Sequence, residues 1–186
     1  MTLSKNSFKN KKISVIHEGK YIRFLKLGRW EFVERTNCTS IVIILAMTDD
    51  RKVIFTEQYR PPVSKRVIEF PAGLVNDESR NESIFTAAKR ELLEETGYRA
   101  GRMVRLLDGP VSSGFTSDMV TVLQAKDIKK AGPGGGDKLE NIAVYEVPLA
   151  KAESWLAQMQ KKGRLVDPKV YAGLYFLNKN GRTKIS

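Results

Sequence analysis

EFPAGLVNDESRNESIFTAAKRELLEETGY, residues 69–98, decides how the rest of the chain is read. Its second half places Glu91, Glu94 and Glu95 within a turn and a half of helix, beside Arg90. Residues four apart on a helix share a face, so Glu91 and Glu95 project side by side. Arg90 is the nearest local cation and reaches Glu94 at the i,i+4 spacing, which leaves Glu91 and Glu95 with excess negative charge. A hard divalent cation, Mg²⁺ or Mn²⁺, satisfies such a pair, since these ions take oxygen ligands and hold bridging phosphates as well. A solvated acidic face is the competing reading of any two glutamates on a helix. Phe85, Ala88 and Leu92 supply an apolar stripe to bury, and Gly97 ends the helix as a residue free to take positive φ.

Working outward, 186 residues suit one ordinary domain plus a small extra element, and a hydrophobic content of 41% is enough for a core. No run approaches the length of a membrane span, and Met1–Lys12 has no apolar signal core. The default compartment is therefore the cytoplasm, with the periplasm left open. The one cysteine, Cys38, excludes an internal disulfide framework and a zinc cluster, and reads as a small buried residue. The one histidine, His17, has no serine motif near it and is discounted as catalytic. The net charge of +11 invites a nucleic-acid reading until it is partitioned. Residues 1–35 hold nine Lys/Arg against three acids and residues 151–186 hold eight against two, while residues 36–150 hold fifteen against sixteen. The excess lies in the two ends, and no basic motif interleaved with aromatics accompanies it, so nucleic acid is not the expected partner.

Taken in order, Lys12–His17, Tyr21–Leu27 and Trp30–Arg35 read as a three-stranded antiparallel meander with turns at Glu18-Gly19-Lys20 and Gly28-Arg29. So small a sheet cannot bury its own face and must dock on something. Ile41–Ala46 is a continuous apolar run, as a fully buried strand shows. Lys52–Tyr59 follows after a hairpin turn and is stopped by Pro61-Pro62. Arg102–Leu107, Val120–Ala125 and Glu140–Val147 are further strands. Ala131–Lys138, with four glycines, lacks the Gly-Lys-Ser/Thr and the following helix of a P-loop, and reads as a mobile lid. Leu149–Lys162 is an amphipathic helix with Trp155, Leu156 and Met159 inward. Asp167-Pro168 starts the last helix, aspartate as N-cap and proline at the first helical position.

Arg90-Glu91-Leu92-Leu93-Glu94-Glu95-Thr96-Gly97-Tyr98 resembles the end of the Nudix box, G-x5-E-x7-R-E-U-x-E-E-x-G-U. Glu82 stands seven residues before Arg90 as that pattern requires, but eight residues rather than five separate Gly73 from Glu82. The flanks Gln58-Tyr59-Arg60-Pro61-Pro62 and Glu69-Phe70-Pro71-Ala72-Gly73 resemble the ADP-ribose pyrophosphatase branch of that family. The resemblance implies an α/β fold, the Nudix α/β/α sandwich with a mixed sheet, over residues 39–186, preceded by an N-terminal antiparallel dimerisation sheet over residues 1–38. It implies Mg²⁺ (or Mn²⁺) held by Glu91, Glu95, Glu140 and the backbone carbonyl of Ala72, with Glu94 and Arg90 in the catalytic group. Many relatives carry a second acid two residues before Glu140, where this chain has Lys138; either Asp137 takes over that task or Glu140 acts alone.

For substrate, the resemblance implies phosphate contact by Arg60 and proximity of Glu69 to metal or substrate. Trp30 and Arg35, on the segment matching the branch's base-binding strand, are further substrate-binding candidates, Trp30 for stacking on the nucleobase with ordinary sheet packing as the rival role. Gly114 matches the glycine of a substrate-facing turn, in which Ser113 and Asp118 replace the family's proline and glutamate. Asp167-x-Lys169 resembles a feature of the members that hydrolyse nucleoside diphosphate sugars. The implied activity is hydrolysis of the pyrophosphate bond in ADP-ribose, GDP-mannose or similar compounds by a homodimer. A Nudix enzyme acting on RNA ends or dinucleotides, or a non-catalytic nucleotide sensor, is the alternative.

Overall fold

The computed structural model describes residues 12–77, 81–136 and 141–180. Three antiparallel strands come first, β1 (Ser14–Glu18), β2 (Ile22–Leu27) and β3 (Trp30–Arg35), in the order β1-β2-β3. As the alternating segments predict, they form a meander whose turns fall at the two glycine-bearing breaks. Its β3 edge is tied to the body through Val33, whose N–H donates to the Phe115 carbonyl at 2.9 Å and whose carbonyl accepts from Ser117 N at 3.2 Å.

The expected mixed sheet is present as two. β4 (Ser40–Leu45) runs between β7 (Ala72–Val75) and β9 (Met119–Lys130), antiparallel to the first and parallel to the second, with β8 (Tyr98–Pro110) outside β9. β5 (Lys52–Arg60) runs between β10 (Ala143–Pro148) and β6 (Lys65–Glu69), and β11 (Leu165–Val166) adds in parallel to β6. β4 and β5 are consecutive, yet beyond their turn they share only the Met47–Val53 bridge and then part into different sheets. β11 is two residues long and left no periodic signal to read.

The apolar run of β4 serves two cores. Val42 and Ile44 face α1 (Ile84–Thr96), where they meet Ala87, Ala88 and Leu92 together with Leu123 and Ala125 of β9. Ile43 and Leu45 face the other way, onto Phe55, Ile68, Phe70, α2 (Ala152–Lys161) and α3 (Pro168–Asn180), through Leu156, Met159, Val170, Leu174 and Leu177. Helices therefore cover both sides of the sheets, and alternate residues of one strand are buried in both directions, which is why no polar residue interrupts it. Of the inward set expected on α2, Leu156 and Met159 are buried, while Trp155 packs partly buried with its ring 5.5 Å from Phe55, nearly parallel to it.

Phe85 corrects the expected stripe. It shares the angular position of Leu92 around α1 but is 41% exposed, and Ala87 takes its place on the buried side. Periodicity sets the angle around a helix, not how far the covering layer extends along it, and in the first turn the cover reaches Ile84 but not Phe85. Cys38 is half-buried rather than core. None of the described helices is long and apolar enough to cross a membrane.

Candidate active site

Ser83 caps α1, its hydroxyl accepting the Thr86 N–H at 3.1 Å, and Gly97 closes it at φ 72° with its N–H on the Leu93 carbonyl at 2.8 Å. The carbonyls beyond Leu93 have no partner within the helix, and the glycine-rich segment supplies one for each. Gly136 N donates to Glu94 at 3.1 Å, Gly135 N to Glu95 at 2.7 Å, and Ala131 N to Gly97 at 2.8 Å, while Lys130 Nζ donates to Thr96 at 2.9 Å. A Cβ on Gly134 would lie 2.4 Å from the Thr96 carbonyl carbon, and Gly134 itself has φ 72°. Residues 131–136 are thus the C-terminal cap of the acidic helix, not the mobile lid that their composition suggests. The glycines are there because backbone meets backbone. Asp137, Lys138 and Glu140 lie outside the described residues.

The acids face a cleft of about 720 Å³ whose walls include Glu91, Glu95, Asp77, Ala72 and Gly73. Arg35, Arg60, Glu69, Asp167 and Lys169 are also on its walls, and Ile41, Ile43, Val111 and Val120 supply an apolar surface. Glu95 is buried, and one of its oxygens accepts the Ala72 N–H at 3.1 Å. A Cβ on Gly73 would lie 1.9 Å from the Glu91 carboxyl carbon, so the backbone after Ala72 passes directly against that carboxylate. Glu95 is thus hydrogen-bonded to the β7 backbone and Glu91 packs against it where Gly73 has no side chain.

Arg90 does more than reach Glu94. Its guanidinium donates to Glu91 at 2.9 Å, to Glu94 and Glu82 at 3.2 Å, and to Asp77 and the Leu74 carbonyl at 3.3 Å. Glu91 therefore has a cation after all, but a shared one. Burial pushes its carboxyl from 4.5 up to about 7, Arg90 opposing that rise and Asp77 and Glu94 adding to it. Glu82 sits on Arg90 despite the longer loop before it. Glu94 is 47% exposed at its side chain and, like Arg90, is not among the cleft's lining residues.

Arg60 and Glu69 meet on the cleft wall at 2.8 Å, which fixes the guanidinium across two strands. Asp167 accepts the Lys169 backbone N–H at 2.8 Å as an N-cap does, and its second oxygen pairs with the Lys169 ammonium, so one aspartate both caps α3 and holds the lysine at the cleft. Arg35 pairs with Asp118 at 3.4 Å. Trp30 and Gly114 are not on the cleft wall of the single chain: Trp30 is exposed at the start of β3, and Gly114 lies in the turn that ties β3 to the body. Asp77 is a cleft residue that reading the sequence missed. It sits in the loop that departs from the family spacing, where only its charge type was available as a signal.

The family model described as NUDIX domain matches residues 38–172. The chain is 32% identical to the methanol dehydrogenase activator of Bacillus methanolicus, over 73% of this chain and 70% of that protein. It is 33% identical to the ADP-sugar pyrophosphatase of Mus musculus, over 90% of this chain and 87% of that one. Among solved structures, one described as an ADP compounds hydrolase superposes with a TM-score of 0.69 over 94% of this chain and 95% of its own, at 19% identity.

Proposed function

The chain belongs to the Nudix family of hydrolases, and on that premise we propose that it hydrolyses the pyrophosphate bond of nucleoside diphosphate sugars, ADP-ribose and GDP-mannose among them, in a Mg²⁺-dependent reaction. One observation carries the reading: a single cleft holds paired carboxylates on one wall and the cations Arg60 and Lys169 on others. A diphosphate needs both, metal-holding oxygens for its bridging charge and fixed cations for its outer oxygens.

The donor set suits a hard divalent cation. Glu91 and Glu95 offer carboxylate oxygens beside the Ala72 backbone, and burial, only partly offset by Arg90, raises the pKa of Glu91, so a divalent ion would gain by stabilising its ionised form. Among the described residues no three such side chains converge as a metal cluster; in this proposal Glu140 supplies the further carboxylate. Held by these carboxylates, Mg²⁺ would neutralise the diphosphate and lower the pKa of a water. Glu140 would either complete that metal site or accept the water's proton as general base. Arg60, steadied by Glu69, holds a phosphate in line, and Lys169, steadied by Asp167, contacts the distal phosphate or the sugar. Arg35 faces the same cleft for the nucleoside. The products are a nucleoside monophosphate and a sugar phosphate.

In the same reading the N-terminal sheet is a dimerisation element, supported by Val15, Ile16, Tyr21, Ile22 and Trp30, all exposed in the single chain. The partner's sheet then carries Trp30 to a nucleobase that this chain's own Trp30 does not reach. Sedimentation at micromolar concentration reads the mass directly, and a monomer would remove this part.

The activity is tested by phosphate release with added phosphatase and Mg²⁺ across ADP-ribose, GDP-mannose, UDP-glucose, dinucleoside polyphosphates and capped RNA. Metal-dependent turnover of the sugar nucleotides is expected. Turnover confined to the polyphosphates or the RNA would overturn the proposal.

A further inference from the structure

Consecutive residues of a strand face opposite ways, and on β5 two consecutive polar side chains are both buried, Glu57 at 1% exposed and Gln58 at 8%. Glu57 takes no part in the cleft and is held from three directions, by Arg66 of β6 through a short contact to Nε, by the Tyr145 hydroxyl at 2.8 Å and by Arg164 at 3.5 Å. Burial alone would push its carboxyl up; the hydroxyl and the two arginines outweigh burial and hold it below the ordinary glutamate value.

Gln58 faces the other way and lines the cleft. It shares its face of β5 with Thr56 and Arg60. Across the β5–β6 ladder it stands opposite Val67, while Thr56 stands opposite Glu69. The Arg60–Glu69 bridge at 2.8 Å therefore spans that same face, with Gln58 in register between its two ends. The amide takes no part in the bridge, and the Gln58 side chain makes no hydrogen bond to any described residue. Polar groups buried this deeply are normally paired. An amide left open on a cleft wall keeps its bonding capacity for what enters the cleft.

That capacity has a definite chemistry. An amide offers a carbonyl acceptor and two N–H donors in one neutral group. The charged groups on the same walls each do half of this. Arg35, Arg60 and Lys169 only donate, whereas Glu69 and Asp167 only accept and are engaged by Arg60 and Lys169. Phosphate oxygens need donors alone. A sugar hydroxyl both donates and accepts, and of these groups the amide meets both demands. We propose that Gln58 is a specificity-determining residue of the cleft, its amide hydrogen-bonding a sugar hydroxyl of the nucleoside diphosphate sugar. The inference rests on the reading of the cleft given above and adds to it the group that tells a sugar hydroxyl from a hydrogen.

The test compares the wild type with Gln58→Met, an apolar side chain of similar length. Both are measured on a sugar nucleotide that the wild type turns over and on analogues of it that each lack one sugar hydroxyl. The wild type is expected to lose about 10- to 100-fold in kcat/KM on one analogue, where the buried amide is left without its partner. Gln58→Met should lose about the same factor on the parent compound and no more on that analogue, because the two changes remove one interaction. The analogue that responds tells whether the hydroxyl belongs to the nucleoside ribose or to the distal sugar. A merely structural glutamine would cost the same factor on every compound. That result, no loss on the parent compound, or a wild type indifferent to every hydroxyl overturns the proposal. If Gln58→Met does not fold, Gln58→Glu, of the same shape but without the N–H donors, is put through the same comparison. A wild type that turns over no sugar nucleotide would instead overturn the reading of the cleft itself.

Discussion

Arg90 and Arg66 each hold a glutamate, half-buried Glu91 in one case and fully buried Glu57 in the other, and the two carboxyls shift in opposite directions. Glu57 has Arg66, Arg164 and a tyrosine hydroxyl largely to itself, and its carboxyl is held below the ordinary value. Burial pushes the Glu91 carboxyl up to about 7, and the one arm it receives of Arg90, whose guanidinium also serves Glu82, Glu94 and Asp77, does not offset that. A compensated carboxylate gains little from a further cation, whereas one whose ionised form is disfavoured gains from a divalent ion, so the electrostatic difference separates a glutamate that builds the fold from the one proposed to hold metal.

Two substitutions should pull these roles apart. Glu95→Gln, beside Glu91 on the cleft wall, is expected to abolish Mg²⁺-dependent turnover while the urea midpoint stays near wild type. Full activity in that variant would sink the assignment of the cleft. Glu57→Ala should do the reverse in stability: it leaves the half-buried Arg66 and the Tyr145 hydroxyl without the carboxylate that pairs them, a loss of about 1–3 kcal/mol, read as a lower urea midpoint at unchanged slope.

The same contrast explains what the sequence disclosed. Arg90, Glu91, Glu94 and Glu95 lie within six residues, so the physics of one helix turn places them together before any tertiary structure is known. Arg60, Glu69 and Asp167 were legible too, as strand-end and cap positions beside prolines. Glu57 and Arg66 were not. Each stands within a strand segment as an ordinary charged residue, and the Asn141 carbonyl that Arg66 holds is 75 residues away. The glycines of residues 131–136 were visible but misread, because composition announces conformational freedom and cannot tell whether a turn uses it to move or to approach a helix end.

A pH titration of the metal-free protein tests the charge shortage itself. Between pH 4.5 and about 7 the folded state keeps a proton on Glu91 that the unfolded chain has given up. Folding therefore loses stability as pH rises through that window, by up to about 3 kcal/mol. Its side chain is only 13% exposed, so solvent screens little of this. Glu91→Gln should flatten the slope. Added Mg²⁺ should restore stability at pH 7 in the wild type, because the ion selects the ionised carboxylate. A wild-type curve that rises between pH 5 and 7 without metal would contradict the reading of Glu91.

The smallest effect expected is also the one that separates sharing from burial as the source of the Glu91 shift. Glu94 is mostly at the surface, and its i,i+4 pair with Arg90 is worth a few tenths of a kcal/mol. Glu94→Gln should therefore leave the urea midpoint almost unmoved. It removes a repelling charge near Glu91 and weakens a competitor for the same Arg90 nitrogen, which donates to Glu91 at 2.9 Å and to Glu94 at 3.2 Å. The midpoint of the pH-dependent stability change should then fall below its wild-type position, as Glu91 receives more of the arginine. An unchanged midpoint would leave burial alone as the cause, and Arg90 would be a brace for the loop at Asp77 and Glu82 rather than a regulator of charge on the metal wall.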